Sequence, residues 1–241
     1  MTSLAKNLTM PAVNDHRPRV AAERRERMRR RLLESAMIVF ADKGVGASVI
    51  PEVVAAAEVS QGSFYNYFRT NEELLAAVGD ELSGEMVALI EAAVGDIEDP
   101  ALRVATGMRC YLHLARSNRL LARFLAGAGL HLLDQQNAAF RYLPADLAEG
   151  QNRGDFADVP LEIILDIVAG SGLVVIDRIA RGRTPKDYPD KVVAALLRTL
   201  GMKVADAERL TSQALPKLKP TADSLLARAQ ARATVQSSAD T

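Results

Sequence analysis

Residues 48–75 read SVIPEVVAAAEVSQGSFYNYFRTNEELL, and the architecture follows from how this run is punctuated. Ser48 is placed as the cap of a short helix through Ala57, with Pro51 tolerable in the first turn, where amide hydrogens lack partners anyway. Ser60 opens a second helix of one to two turns through Tyr67. Asn71-Glu72-Glu73 then caps a longer helix, about 72–93, with two acids at the positive end of its dipole. A helix, a tight turn and a second short helix form the helix-turn-helix layout, whose second helix enters the major groove of DNA. The chemistry of that second helix suits the task. Ser60, Gln61 and Ser63 offer hydrogen-bonding groups, Gly62 permits close backbone approach, and glutamine can pair bidentately with adenine. Tyr65, Asn66 and Tyr67 add donors for the flanking phosphates. Phe64 and Phe68 at helical spacing belong to the core, whereas Tyr65 has two open readings, core and contact.

Working outward, apolar residues at Leu32, Leu33, Ala36, Met37 and Phe40 form a helical stripe that ends at Lys43-Gly44, so a first helix is expected at roughly 21–42. Residues 1–18 lack periodicity and read as a flexible arm. Between Arg17 and Arg31 eight arginines face only Glu23 and Glu26, a local net charge of +6. Such a run is either a solvated helix face or a phosphate-neutralising arm. Its place directly before a helix-turn-helix favours the second reading, with Arg29 and Arg30 as DNA contacts.

The rest of the composition narrows the class. The 241 residues are 49% hydrophobic and 5% aromatic, rich in alanine and leucine, which favours an all-α chain. Thirty basic and thirty acidic residues cancel, so no overall field draws the molecule to nucleic acid or membrane. One cysteine, Cys110, leaves no intramolecular disulfide or cysteine-cluster metal site and fits a reducing cytoplasm. No signal peptide and no run of 18 apolar residues is found, so neither export nor a membrane partner is expected. His16, His113 and His131 lack metal-ligand spacing, and no nucleophile elbow, P-loop or dinucleotide glycine motif occurs; no metal, cofactor or catalytic residue is expected.

SQGSFYNYF followed two residues later by NEELL, together with RRRLLESAMIVFADKG at 29–44, resembles the signature of the tetracycline-repressor (TetR) family of transcriptional regulators. The resemblance covers roughly residues 29–75. It implies that Ser48 sits where a hydroxyl meets backbone phosphate and that Gln61, Gly62, Ser63 and Tyr67 lie on the DNA-facing helix. Three positions depart from the family's pattern. Glu58 stands in the turn where glycine is usual, at a cost of about 1–2 kcal/mol if φ is positive. Asn71 replaces a phosphate-contacting lysine while keeping the cap, and Gln61 replaces a frequent lysine.

The expected organisation is therefore a flexible arm (1–18), a three-helix DNA-binding domain (19–71), a larger helical bundle for ligand binding and dimerisation (72–215), and a partly disordered C-terminal extension (216–241). Breaks divide the bundle into helical stretches of about 101–116, 118–126, 130–141, 145–152, 160–181 and 187–200. LEIILDIVAGSGLVVIDRIARG and YPDKVVAALLRTLG are apolar enough to need burial against another subunit. Ile164, Ile167, Val168, Val175, Val193, Leu196 and Leu197 are the candidate interface of a homodimer. The resemblance also implies a small-molecule pocket among the middle helices. Met86, Met108, Tyr111, Phe124, His131 and Phe140 are its candidate lining, each also readable as plain core. The implied function is a sequence-specific regulator, a repressor released from a palindromic DNA operator by a small-molecule effector. The alternative is a helical enzyme or interaction module that merely contains a helix-turn-helix-like hairpin.

Overall fold

The computed structural model describes residues 16–46, 49–132, 142–182 and 184–239, and among them there is no strand. The first helix, α1, runs His16–Lys43. It begins before the expected start because Pro18 falls in the first turn and costs no hydrogen bond, while Arg19–Glu23 and Glu26–Arg30 form i,i+4 pairs of 3.2 and 3.1 Å. Its residues 19–27 are exposed. From Leu32 onward it turns a buried face to the core, with Leu32, Leu33, Met37 and Phe40 fully covered. Gly44 ends it at φ +78°, its amide donating to the Phe40 carbonyl.

Helices α2 (Ile50–Ala56) and α3 (Gln61–Tyr65) follow. Ser60 caps α3 by accepting from the Ser63 amide at 3.1 Å, and Phe64 and Phe68 pack inward with ring centroids 6.1 Å apart. Glu58, in the turn between the helices, has φ +50° and is the one non-glycine with positive φ among the described residues. Its exposed carboxylate lies 2.9 Å from Arg31.

Helix α4 (Asn71–Val94) is capped by Thr70 rather than by Asn71, the expected cap. The Thr70 hydroxyl accepts from the Glu73 amide and the Glu73 carboxylate accepts from the Arg69 amide, close to a capping box. Asn71 is thereby moved into the helix, where its amide donates to the Val45 carbonyl at 3.3 Å. Two ends of α4 do different things. Leu74, Leu75 and Val78 are buried near the helix-turn-helix, and Met86 and Ile90 lie 12–16 residues further along in the larger bundle.

That bundle consists of α5 (Pro100–Ser117), α6 (Arg119–Ala128), α7 (Leu143–Arg153), α8 (Leu161–Ala180), α9 (Tyr188–Thr199) and α10 (Val204–Thr211). Asp99 and Asn118 cap α5 and α6. Gly127 allows α6 to approach α1, since a Cβ there would meet the Phe40 carbonyl oxygen at 3.3 Å. A mostly buried ion pair ties α5 to α9: Arg109 Nε lies 2.7 Å and His113 Nε2 3.0 Å from Asp190 Oδ1. Burial alone would raise the Asp190 carboxyl, but hydrogen bonds from Arg109 and His113 outweigh it and hold the group below the usual carboxylate range.

The extension beyond Leu215 carries a further helix, α11 (Leu225–Ala239), which folds back on α1 and α4. The Glu85 carboxylate of α4 accepts from the amides of Leu225 and Leu226, the orphan donors at the start of α11. Arg228 reaches Glu34 of α1 at 2.8 Å and Glu81 of α4 at 3.1 Å. Arg232 donates to the Ala56 carbonyl at the end of α2, and Asn118 of α6 donates to Gln230. One helix therefore joins the DNA-binding unit, α4 and the bundle.

Candidate DNA interface and ligand cavity

Packing of Phe64 and Phe68 against the core decides which side of α3 is left outside. Gln61, Gly62, Tyr65 and Asn66 are exposed, and Ser63 and Tyr67 are half-buried. For Tyr65 this settles the two readings in favour of the surface, at 48% exposure, its ring meeting Phe64 edge-on. Ser60 is exposed, but its hydroxyl is held 2.8 Å from that of Ser63. A Cβ on Gly62 would meet nothing within 4 Å, so no contact inside the chain requires glycine there. Beside α3, the exposed half of α1 forms a groove whose walls include Arg24, Arg25, Ser63, Asn66 and Tyr67, with the Arg25 guanidinium 6.0 Å from the Tyr67 ring centre. Ser48 lies outside the described residues.

Arg29 and Arg30, expected at DNA, are engaged within the chain instead. Arg29 is 3.1 Å from Glu81, and Arg30 is 3.1 Å from Glu26 and 3.3 Å from Asp223. Arg24 and Arg25 line the groove beside α3, while Arg29, one turn further along α1, reaches α4 and Arg30 reaches the C-terminal segment. A run of arginines read as one charge cluster conceals that division. Arg69, exposed just past α3, is a further cation that sequence reasoning did not single out.

Within the bundle, α4, α5, α7, α8 and α9 surround a cavity of about 220 Å³. Met86, Met108 and Tyr111 are on its wall, as expected. Phe124 is not: it is fully buried between α6 and α1, its ring 6.4 Å from that of Phe40. His131 is exposed, its Nδ1 lying 3.1 Å from the Ala128 carbonyl, and Phe140 falls outside the described residues. The wall is mostly aliphatic, with one polar end built from three helices. Arg103 of α5 places Nε 3.0 Å from Asp146 of α7 and Nη2 2.9 Å from Glu91 of α4, and its Nη1 donates to the Gly95 carbonyl at 3.2 Å. Burial pushes the Asp146 carboxyl up, opposed by Arg103. Burial likewise pushes the Tyr111 phenol up to about 12. Sequence reasoning missed Arg103, Glu91 and Asp146 because they are remote in the chain and form no motif.

The residues expected at a dimer interface fall mostly inside the single chain. Ile164, Val168, Val175, Val193, Leu196 and Leu197 are buried by their own bundle, and Val168, Val175 and Leu196 line the cavity; Ile167 is half-buried. Helix α8 is apolar on two faces, and periodicity cannot say which one the chain itself covers. The face left outside carries Ile163 and Val174, 45% and 61% exposed, with Ile167 and Gly170 between them.

A helix-turn-helix that displays polar side chains beside a cationic groove, joined by one long helix to a bundle with an internal cavity, defines the class of DNA-binding regulators. Comparison with known proteins places the chain within that class. Residues 32–78 match the family model for bacterial regulatory proteins of the tetR family. The chain is 25% identical over 175 residues to the HTH-type transcriptional repressor DhaR of Mycobacterium sp. (strain GP1), covering 66% of this chain and 87% of that one. It is 32% identical over 79 residues to the HTH-type transcriptional repressor Rv3405c of Mycobacterium tuberculosis, covering 32% of this chain and 42% of that protein. The crystal structure of RolR in complex with resorcinol superimposes with a TM-score of 0.64 at 27% identity, over 82% of this chain and 100% of RolR. Residues 32–78 thus match the DNA-binding domain of the tetR family, and over most of its length the chain is similar to DNA-binding transcriptional regulators.

Proposed function

We propose that the protein is a repressor that binds a palindromic operator as a homodimer and is released when a small molecule occupies the bundle cavity. The observation that carries this reading is the continuity of α4: one helix has buried side chains against the DNA-binding unit at its start and cavity-lining side chains near its end. A ligand that changes the seat of Met86 and Ile90 changes the tilt of the same rigid rod that bears the recognition helix. Release requires the ligand to favour the splayed arrangement, and a coupling of about 1–3 kcal/mol changes DNA affinity roughly 5- to 150-fold.

In this reading Gln61 and Ser63 read bases, Gly62 admits the DNA backbone, and Ser60, Tyr65, Asn66 and Tyr67 position the helix, with Ser48 on phosphate. Arg24 and Arg25 take the electrostatic role, while Arg29 ties α1 to α4 and Arg30 ties it to the C-terminal segment. Dimerisation uses the outer face of α8 at Ile163, Ile167, Gly170 and Val174, where the glycine permits close helix approach. A second copy of this face gives the two-fold symmetry that a palindrome mirrors. The protein acts by binding rather than catalysis, in the cytoplasm; no described helix is long and apolar enough to cross a membrane. The bound resorcinol belongs to RolR, whose fold this chain shares, and it supports a small-molecule role for the corresponding bundle.

The test is selection of bound DNA from genomic fragments, followed by light scattering of the complex. A palindromic site bound by two chains is expected, with half-sites about one helical turn apart or somewhat more. A single asymmetric half-site bound by a stable monomer would count against the reading.

A further inference from the structure

Along the cavity face of α5, Arg103, Gly107 and Tyr111 follow one another at i, i+4 and i+8, about 12 Å from first to last along the helix axis. The Arg103 end looks at first like a receptor for an anionic ligand. Its hydrogen bonds argue otherwise. Nε is taken by Asp146, Nη2 by Glu91, and Nη1 by the carbonyls of Gly95 and Val94 at the end of α4. One guanidinium between two carboxylates leaves either a net negative charge or, with one carboxyl protonated, a neutral group. In neither state do the described residues of the lining present an uncompensated cation. What remains available is acceptor capacity. Asp146 uses Oδ2 and Glu91 uses Oε2 toward Arg103, and their second oxygens have no hydrogen-bond partner among the described residues. At the other end, the Tyr111 hydroxyl is likewise without a partner among the described residues, inside an otherwise aliphatic wall.

We infer that the effector is a compact, largely apolar molecule without negative charge that carries hydroxyl or amino donors, which it gives to Asp146 and Glu91, and that carboxylates and phosphates are rejected. The inference rests on the reading of the cavity as the effector site and names the chemistry of that site. A carboxylate entering beside Asp146 and Glu91 would have to displace Arg103 from its four acceptors or lie against like charge. An aromatic ring satisfies the aliphatic wall, and a hydroxyl on it supplies a donor to half-buried carboxylate oxygens that have none among the described residues.

The experiment compares three probes of one ring size on the full chain: 1,3-dihydroxybenzene, its dimethyl ether, which keeps the ring but lacks donors, and benzoate. Calorimetric binding and thermal shift are measured free and on operator DNA. The diol is expected to bind roughly tenfold or more tightly than either of the others. Asp146→Asn and Glu91→Gln are expected to shrink the diol's advantage over benzoate by about the same factor. That ratio is read within one variant, so a loss of overall stability does not mimic it. Benzoate or the ether binding as tightly as the diol would overturn the inference, as would silence of all three probes with DNA binding intact. Diol binding that leaves operator affinity unchanged would support the ligand class and instead overturn the proposed release.

Discussion

The DNA-binding head and the cavity are both built from helices, yet they are assembled in opposite ways. The head's outward groups come from eight consecutive residues, Ser60 to Tyr67, and one capped turn of helix is enough to sort them from Phe64 inside. The polar end of the cavity comes from Glu91, Arg103 and Asp146, on three helices that meet only after the bundle has packed. A site carried by one element is set by local propensity and capping. A site carried by three inherits every uncertainty of their packing.

That difference can be pressed by mutation, and the largest effect is expected in the packed region. Asp190→Asn leaves Arg109 buried without its carboxylate and should cost about 3 kcal/mol of stability at neutral pH. The sign of its pH dependence follows from the lowered carboxyl: the stabilisation is complete above the unfolded value near pH 4 and disappears as pH falls through the folded value. Denaturant unfolding of wild type and variant should therefore converge on acidification; a gap that stays constant to low pH would assign the loss to packing alone.

In the head, Gln61→Ala should leave stability unchanged and cost about 2 kcal/mol on operator DNA with little change on random DNA. Equal losses on both, by fluorescence anisotropy, would make Gln61 a phosphate contact. Between the two regions, Arg228→Ala removes the bridge to Glu34 and Glu81, and a loss of about 1–2 kcal/mol is expected in thermal unfolding. It should also weaken the coupling between ligand and operator, because α1 and α4 are then held together less firmly; unchanged coupling would make α11 a purely structural element. The smallest effect runs the other way. Glu58→Gly relieves a left-handed backbone at the expense of one exposed pair with Arg31, and a net gain of about 1 kcal/mol, or roughly 2–4 °C in Tm, is expected. A fall in Tm would mean that the Arg31 contact outweighs the strain.

The all-helical class, the order of the helices and the contents of α3 were legible in the sequence because each depends on neighbours within a few residues. The positive φ of Glu58 was foreshadowed only by the family resemblance, in which glycine is usual at that turn. What was not legible is direction. Val168, Val175 and Leu196 were apolar enough for a partner subunit, but their own chain covers them around the cavity, and the outer face is left to Ile163, Ile167, Gly170 and Val174. Arg29 and Arg30 sat in the charge cluster, but their carboxylate partners, Glu81 and Asp223, are remote in the chain and could not be read from it. Thr70 took the cap from Asn71 by one residue, a shift within the ordinary uncertainty of helix ends. Helix α11 carries too little amphipathic pattern to announce where it docks.

The docking of α11 has a consequence for experiments in salt. Arg228, Glu34 and Glu81 are only 14–25% exposed, so the joint they form is poorly reached by mobile ions. Arg24 and Arg25 on the outer half of α1 are exposed and should exchange phosphates for counterions freely. Raising the ionic strength should therefore strip the protein from DNA before it loosens the head from the body. In that range the slope of log affinity against log salt counts neutralised phosphates, at roughly 0.9 per contact, without a contribution from a softening hinge.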